Sequence, residues 1–396
     1  VGRVVQALGA GALVPVSLAL VGDLFPPMRR ARPLGLVAAV DTLGWVLGHL
    51  YGGLLVQYMH WHWLFWINVP LTALTIVLVL WALRKVPQQR ASGRFDFLGT
   101  ALIVAALTCL NLGLGANIDI GSTTSNFDQL SPLPPNFGPM MALTAVFFLG
   151  FVLVESRVKD PLVNLRMFRQ RNISAGALVN LFVGFCILIG LVSVPILVNV
   201  RAENASALTE AALKVGLLLS TLTVPMALAA VPGGWLSDRI GYRWTTVLGL
   251  SLAIFGFGWV WQTWTPSISE GLIAVQMAFI GVGLGLTFSP ISAAVINAAH
   301  EDERGVASAL VIILRMIGMT VSVSTLTTLS LQRVNILVAQ ILGEVVDPYT
   351  AIETYTEVTV QVLGELGLVG VIVCGVALIP ALLLREDPVL VGEEDR

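Results

Sequence analysis

The sequence predicts an all-α polytopic membrane protein, and three observations carry that expectation. The chain has 396 residues, of which 56% are hydrophobic and 12% charged, with a mean hydropathy of +0.86. A soluble domain carries about 25% charged residues. The apolar residues are gathered into eleven runs, each long enough to cross a bilayer. Lys and Arg are sorted unevenly among the loops between those runs. In hydrocarbon every backbone polar group must be satisfied within its own segment, which makes the runs helices.

In order, the runs cover about 1–22, 34–56, 64–83, 97–117, 139–155, 173–200, 212–233, 244–262, 271–299, 305–328 and 361–384. Alternation across the membrane fixes their orientation. With residues 26–33 in the cytoplasm, that side receives Arg29, Arg30 and Arg32, the basic clusters at 84–94 and 157–171, and then Arg239, Arg243, Arg304, Arg385 and Arg396. Those are 17 of the 22 Lys and Arg residues. The outer side and its borders hold Arg201, Lys214 and Arg333. Basic residues accumulate on the cytoplasmic side, so the N-terminus is expected outside and the C-terminus in the cytoplasm. The outer segment 118–138, rich in Pro, Ser and Asn, reads as irregular surface. The outer segment 329–360 is expected to carry a short amphipathic helix. His60-Trp61-His62-Trp63 reads as a wet loop at the interface, and Asn204-Ala205-Ser206 matches a glycosylation sequon.

Composition also excludes function classes. No basic patch with interleaved aromatics is present, which argues against a nucleic-acid partner. Cys109, Cys186 and Cys374 all lie inside apolar runs and read as packing residues. No metal-ligand spacing, phosphate-binding loop or nucleophile elbow occurs, so no metal, cofactor or enzymatic activity is expected. Val1 stands where a methionine would, with no basic segment before the first run. The sequence therefore reads as lacking an upstream part.

Two sets of residues could carry function. The first is Gly234–Trp244, the most polar short segment between two long runs. Gly234 and Gly241 suit a tight turn, Asp238 suits a helix N-terminus, and Arg239 and Arg243 mark the cytoplasmic side. The segment reads either as a charged loop or as a gate hinge with a salt-bridge latch. The second set consists of polar residues within the spans, where charge is costly and defaults to function. Asp41 lies well inside the second run and suits proton uptake and release. Arg315 interrupts an apolar stretch, where it could hold an acidic partner or attract an anion. Arg3 stands at the edge of the first run. Gly44, Gly48 and Gly52 recur every four residues, followed by Gly53, and leave one helix face bare for close packing. His49, within that stretch, could titrate near neutral pH. The tryptophans and phenylalanines could line an aromatic cavity for lipophilic cations, although most read as lipid-facing or interfacial belt residues.

Several of these stretches, taken in order, resemble the major facilitator superfamily, and within it the fourteen-helix drug:proton antiporters of multidrug efflux. Gly234-x-Leu236-Ser237-Asp238-Arg239-x-Gly241-x-Arg243 resembles the family's inter-helix signature. Arg3-Val4-Val5-Gln6-Ala7-Leu8-Gly9-Ala10-Gly11 is similar to its fourth-helix motif. Gly44-x-x-x-Gly48-His49-x-x-Gly52-Gly53 is similar to its fifth-helix antiporter motif. Trp61 to Pro70, Phe95 to Gly99, Asp160 to Arg169 and Gly281 to Ser308 resemble the fourteen-helix subfamily. His49 stands where the family has proline, and Met319, Thr320 and Ser322 stand where it is rich in glycine.

The resemblance implies a major facilitator fold in which the eleven helices correspond to helices four to fourteen. Residues 1–90 would be the remainder of an N-terminal bundle, 91–171 two extra linking helices, and 172–396 a C-terminal six-helix bundle. It implies a proton-coupling role for Arg3 beside Asp41 and His49, and a cytoplasmic latch favouring the outward-facing state. The implied activity is proton-coupled efflux of amphipathic or drug-like small molecules across a bacterial inner membrane. Its partners would be solute, protons and the lipid bilayer. The alternative is a non-transporting accessory subunit, derived from a truncated transporter and bound to partner chains of a membrane complex.

Overall fold

The computed structural model describes residues 2–58, 62–84, 96–114, 136–158, 161, 163–201, 205–342 and 348–385. Among them every regular element is helical. The helices are α1 (Gly2–Leu24), α2 (Ala31–Tyr58), α3 (Trp63–Trp66), α4 (Asn68–Leu83), α5 (Phe97–Leu114), α6 (Phe137–Glu155), α7 (Arg171–Val200), α8 (Ala205–Thr263), α9 (Glu270–Ala298), α10 (Arg304–Leu342) and α11 (Pro348–Leu383). The described part of each expected apolar run is helical, the run 64–83 being divided between α3 and α4. Eight are long and apolar enough to cross a membrane. One of these, α8, is long enough to cross twice. α4 is shorter, at 16 residues, and α2 is 28 residues long but carries Arg32, Asp41 and His49.

The loop expected between the seventh and eighth runs is nearly absent. Helix α8 is two helical segments that meet there in a kink at Gly241, where φ is 85° and ψ 169°. A side chain would strain that backbone, and this is the one glycine with positive φ among the described residues. The short amphipathic helix expected at 329–360 is replaced by direct continuation of α10 and α11. At about 1.5 Å per residue they reach roughly 58 and 54 Å, against roughly 30 Å of hydrocarbon. Val334, Val358 and Val362 are buried between their outer arms, and Arg333 pairs with Glu365 at 2.9 Å.

The main core joins α7 to α11 around Val183, Leu222, Leu250, Phe257, Ile280, Leu284 and Leu363, all nearly inaccessible. Helix α2 docks onto this bundle through a stripe of small and apolar side chains. Ala31, Leu34, Ala38, Thr42 and Val46 are buried at the three- and four-residue spacing of one helix face. A second cluster at one end adds Leu18 and Val21 of α1 to Leu34, Tyr242, Ala293 and Ile296. Helices α5 and α6 pack mainly on each other, and α4 buries none of its side chains.

Candidate functional site

A cavity of about 70 Å³ lies where α2 meets the α7–α11 bundle. Its walls are Val14 of α1, Asp41, Thr42 and Trp45 of α2, Ile187, Met226, Phe288, and then Ile312, Arg315, Met316 and Met319 of α10. Asp41 and Trp45 sit beside the buried stripe of α2, which turns them toward the bundle. Thr42 spends its hydroxyl on the Ala38 carbonyl at 2.8 Å. Arg315 is fixed from behind. Its Nε donates to Oδ1 of Asn180 at 3.3 Å, and its guanidinium lies 4.1 Å from the centre of the Phe288 ring. Asn180 is wholly buried and its own amide donates to the Val311 carbonyl. Asp41 and Arg315 both line the cavity without forming one of the ion pairs of the described residues.

One end of the helix assembly is tightly closed. Arg32 Nε pairs with Asp238 Oδ2 at 2.9 Å, the arginine side chain 60% exposed and the carboxylate 14%. The helices cross there with almost no space. A Cβ at Gly234 would stand 2.5 Å from the Ala31 carbonyl oxygen, and one at Gly35 the same distance from that of Ala230. Ser289 donates to the Ala31 carbonyl from α9. Beside this crossing Arg30, only 4% exposed, donates through Nε to Phe25 O and through Nη1 to Asn297 Oδ1, both at 2.8 Å. Asn297 in turn donates to the Tyr242 hydroxyl at 2.5 Å and to Pro27 O at 3.3 Å. Burial, and then the charge of Arg304, lower the Arg30 pKa from its ordinary value. Arg304 itself pairs with Asp23 and Glu301, each at 3.3 Å.

The structure brings some expected residues together and separates others. Asp41 and Arg315 share the cavity. Asp238 does form an ion pair, but it does not cap a helix N-terminus, and neither Arg239 nor Arg243 holds it. Its partner is Arg32 on α2. Arg239 lies 3.8 Å from the centre of the Trp235 ring and Arg243 5.0 Å from that of Trp244, which suits an interfacial belt. Gly241 makes the break, whereas Gly234 serves close packing rather than a turn. Close packing against a neighbouring helix is the expectation for Gly44 and Gly48, yet nothing described stands within 4 Å of a Cβ there. Arg3 lies on α1, and His49, Gly52 and Gly53 on α2. Their side-chain environments lie outside the described residues, as do the expectations for 118–135 and for Asn204.

Trp45 and Phe288 are the aromatic residues on the wall, and the Phe288 face is already covered by Arg315. Sequence reasoning does not single out Asn180, Arg30 or Asn297 as functional. A polar amide inside the apolar run 173–200 is the available signal for Asn180. For Asn297, near the end of its run, there is none.

Two groups of helices meeting around a small central cavity, closed at one end by cross-contacts, define a polytopic integral membrane protein of transporter architecture. The sequence pattern of the Major Facilitator Superfamily matches residues 1–323, and the chain belongs to that family. It is 34% identical over 337 residues to a triacylglyceride transporter of Mycobacteroides abscessus, covering 82% of this chain and 62% of the relative. A triacylglyceride transporter of Mycolicibacterium smegmatis is 30% identical over 97% of this chain and 70% of its own length. Multidrug resistance protein 3 of Bacillus subtilis is 28% identical over 82% of this chain and 60% of its own length. The chain thus spans about six to seven tenths of these relatives.

Proposed function

We propose that this chain carries the solute pathway of a secondary active transporter. It exports amphipathic or drug-like small molecules from a bacterial cytoplasm in exchange for protons, by alternating access, with its C-terminus on the cytoplasmic side. The observation that carries the reading is the meeting of Asp41 and Arg315 on one cavity between helix groups that are clasped at one end. Opposite intramembrane charges lining one cavity mark solute and proton paths, and a cavity between two rocking groups is where alternating access binds its cargo. The names of the relatives point to largely apolar cargo, triacylglycerides in one case and drugs in the other. In this reading residues 1–90 belong to an N-terminal bundle, 91–171 to a linking pair and 172–396 to the C-terminal bundle, in keeping with the mutual packing of α5 and α6. Arg3 and His49 are further proton-coupling candidates.

The test is proton release. In proteoliposomes carrying a pH-sensitive dye, addition of solute drives proton movement through the native chain, and Asp41→Asn abolishes it. Unchanged coupling in Asp41→Asn would clear that residue of the role. The second reading, a non-transporting accessory subunit, draws on the bare face at Gly44 and Gly48, which a partner chain would cover. Stoichiometric co-purification with other membrane proteins, and no solute movement, would favour it.

A further inference from the structure

The cavity is small and unequally furnished, and both facts bear on what enters it. A site enclosing a drug-sized ligand has about 300–1,000 Å³, whereas about 70 Å³ is present here. That is room for a few waters or one polar head group. Met226, Met316 and Met319 supply a soft apolar wall of the kind that adapts to varied chains. The charged donors of the wall belong to Arg315, beside the single indole N–H of Trp45. Thr42 has given its hydroxyl to the Ala38 carbonyl, and Asn180 has committed its Oδ1 to Arg315 and its amide to Val311. Arg315 uses Nε on Asn180 and stacks on Phe288, so no described residue takes up its two terminal nitrogens. The stacking also covers the ring face that a cationic ligand would need.

We propose that Arg315 is the anchor for a hydrogen-bond acceptor in the head group of the solute, a phosphate, carboxylate or ester carbonyl, and that Asn180 is the residue that positions it. A planar guanidinium suits such groups because two parallel N–H groups match two acceptor lone pairs. Asn180 and Phe288 hold the fork in one orientation, so less side-chain freedom is lost when the head group docks. Lipophilic cations are disfavoured. The inference rests on the reading of this cavity as the solute site.

Equilibrium binding to the full chain in maltoside micelles tests it, with radiolabelled dodecyl phosphate, monolauroyl glycerol and dodecyltrimethylammonium as probes of matched chain. The phosphate probe binds, and Arg315→Gln weakens it roughly tenfold to hundredfold, the loss expected for a charge-assisted pair. Arg315→Lys retains part of the affinity and controls for folding. Asn180→Ala weakens binding a few-fold, and adds little when Arg315 is already Gln, because the two act as one unit. Binding of the glycerol ester as well would show that an acceptor suffices, and its absence that charge is required. The proposal fails if Arg315→Gln binds as tightly as the native chain, if the two substitutions are additive, if the ammonium probe binds best, or if none of the probes binds. Binding lost in Arg315→Gln, in a chain that moves no solute, would sink the transport reading and leave the anchor standing. Solute transport with native affinity in Arg315→Gln would do the reverse.

Discussion

Asn297→Ala should open the closed end of the molecule far more than breaking its visible salt bridge. The native amide accepts a 2.8 Å hydrogen bond from Arg30 and donates to Tyr242 and Pro27, and Arg30 is 4% exposed. A hydrogen bond to a charged group is worth about 1.5–3 kcal/mol, and a buried donor left without a partner costs about as much. Water entering the gap recovers part of this, so the closed state should lose about 2 kcal/mol, a shift of roughly 30-fold. Asp238→Asn removes an ion pair whose arginine is 60% exposed, for which about 0–1 kcal/mol is usual, at most roughly fivefold. The reporter is a single cysteine at Ser237. That residue is 3% exposed and its hydroxyl has no partner among the described residues, so Ser237→Cys is mild. Cys109 is replaced by alanine, and Cys186 and Cys374 are already buried. An impermeant maleimide applied to inside-out vesicles should label Ser237→Cys about 10–30 times faster when Asn297→Ala is added, and less than about five times faster with Asp238→Asn. Equal rates with and without Asn297→Ala, or a larger effect from Asp238→Asn, would refute the assignment of the closure to Arg30 and Asn297.

Two glycines should behave oppositely under thermal unfolding. Gly234→Ala drives a methyl into the Ala31 carbonyl and should cost about 1–3 kcal/mol by overpacking. Gly44→Ala meets nothing within 4 Å and should be neutral or stabilising by up to about 1 kcal/mol through helix propensity. A fall in Tm for the second but not the first would contradict the packing. Cys186 Sγ and Cys374 Sγ lie 3.3 Å apart across α7 and α11. Treatment with iodine, which enters the bilayer, should therefore close an intramolecular disulfide, read by mass spectrometry as the loss of two hydrogens and absent in Cys374→Ala.

Hydropathy alone locates the helices, because a residue's cost in hydrocarbon depends on its own chemistry and little on its neighbours. For the same reason Asp41 and Arg315 stand out in the sequence itself, as charges where charge is expensive. Partner choice is not legible in that way. Asp238 has two arginines within five residues, and the sequence offers no ground for preferring Arg32, which lies more than two hundred residues upstream. The glycine signature mixes two uses that local sequence cannot separate. Gly241 answers a backbone angle and Gly234 a neighbouring carbonyl. The Arg30–Asn297–Tyr242 chain is hidden in the sequence because none of its members is unusual for its place. Its meaning comes only from burial and contact.

The closed end joins contacts of two different physical characters. The Arg32–Asp238 and Arg304–Asp23 pairs reach into solvent, where mobile ions weaken attraction beyond about 8 Å at physiological ionic strength. Arg30 is buried and bonds to a neutral amide, so this contact contains no opposing pair of charges for salt to separate. Ionic strength therefore acts on the exposed ion pairs, Arg32–Asp238 and Arg304–Asp23, and not on the bond from Arg30 to the neutral Asn297 amide. Raising salt should move the open fraction by no more than the few-fold that these exposed pairs contribute, and leave the remaining closure in place.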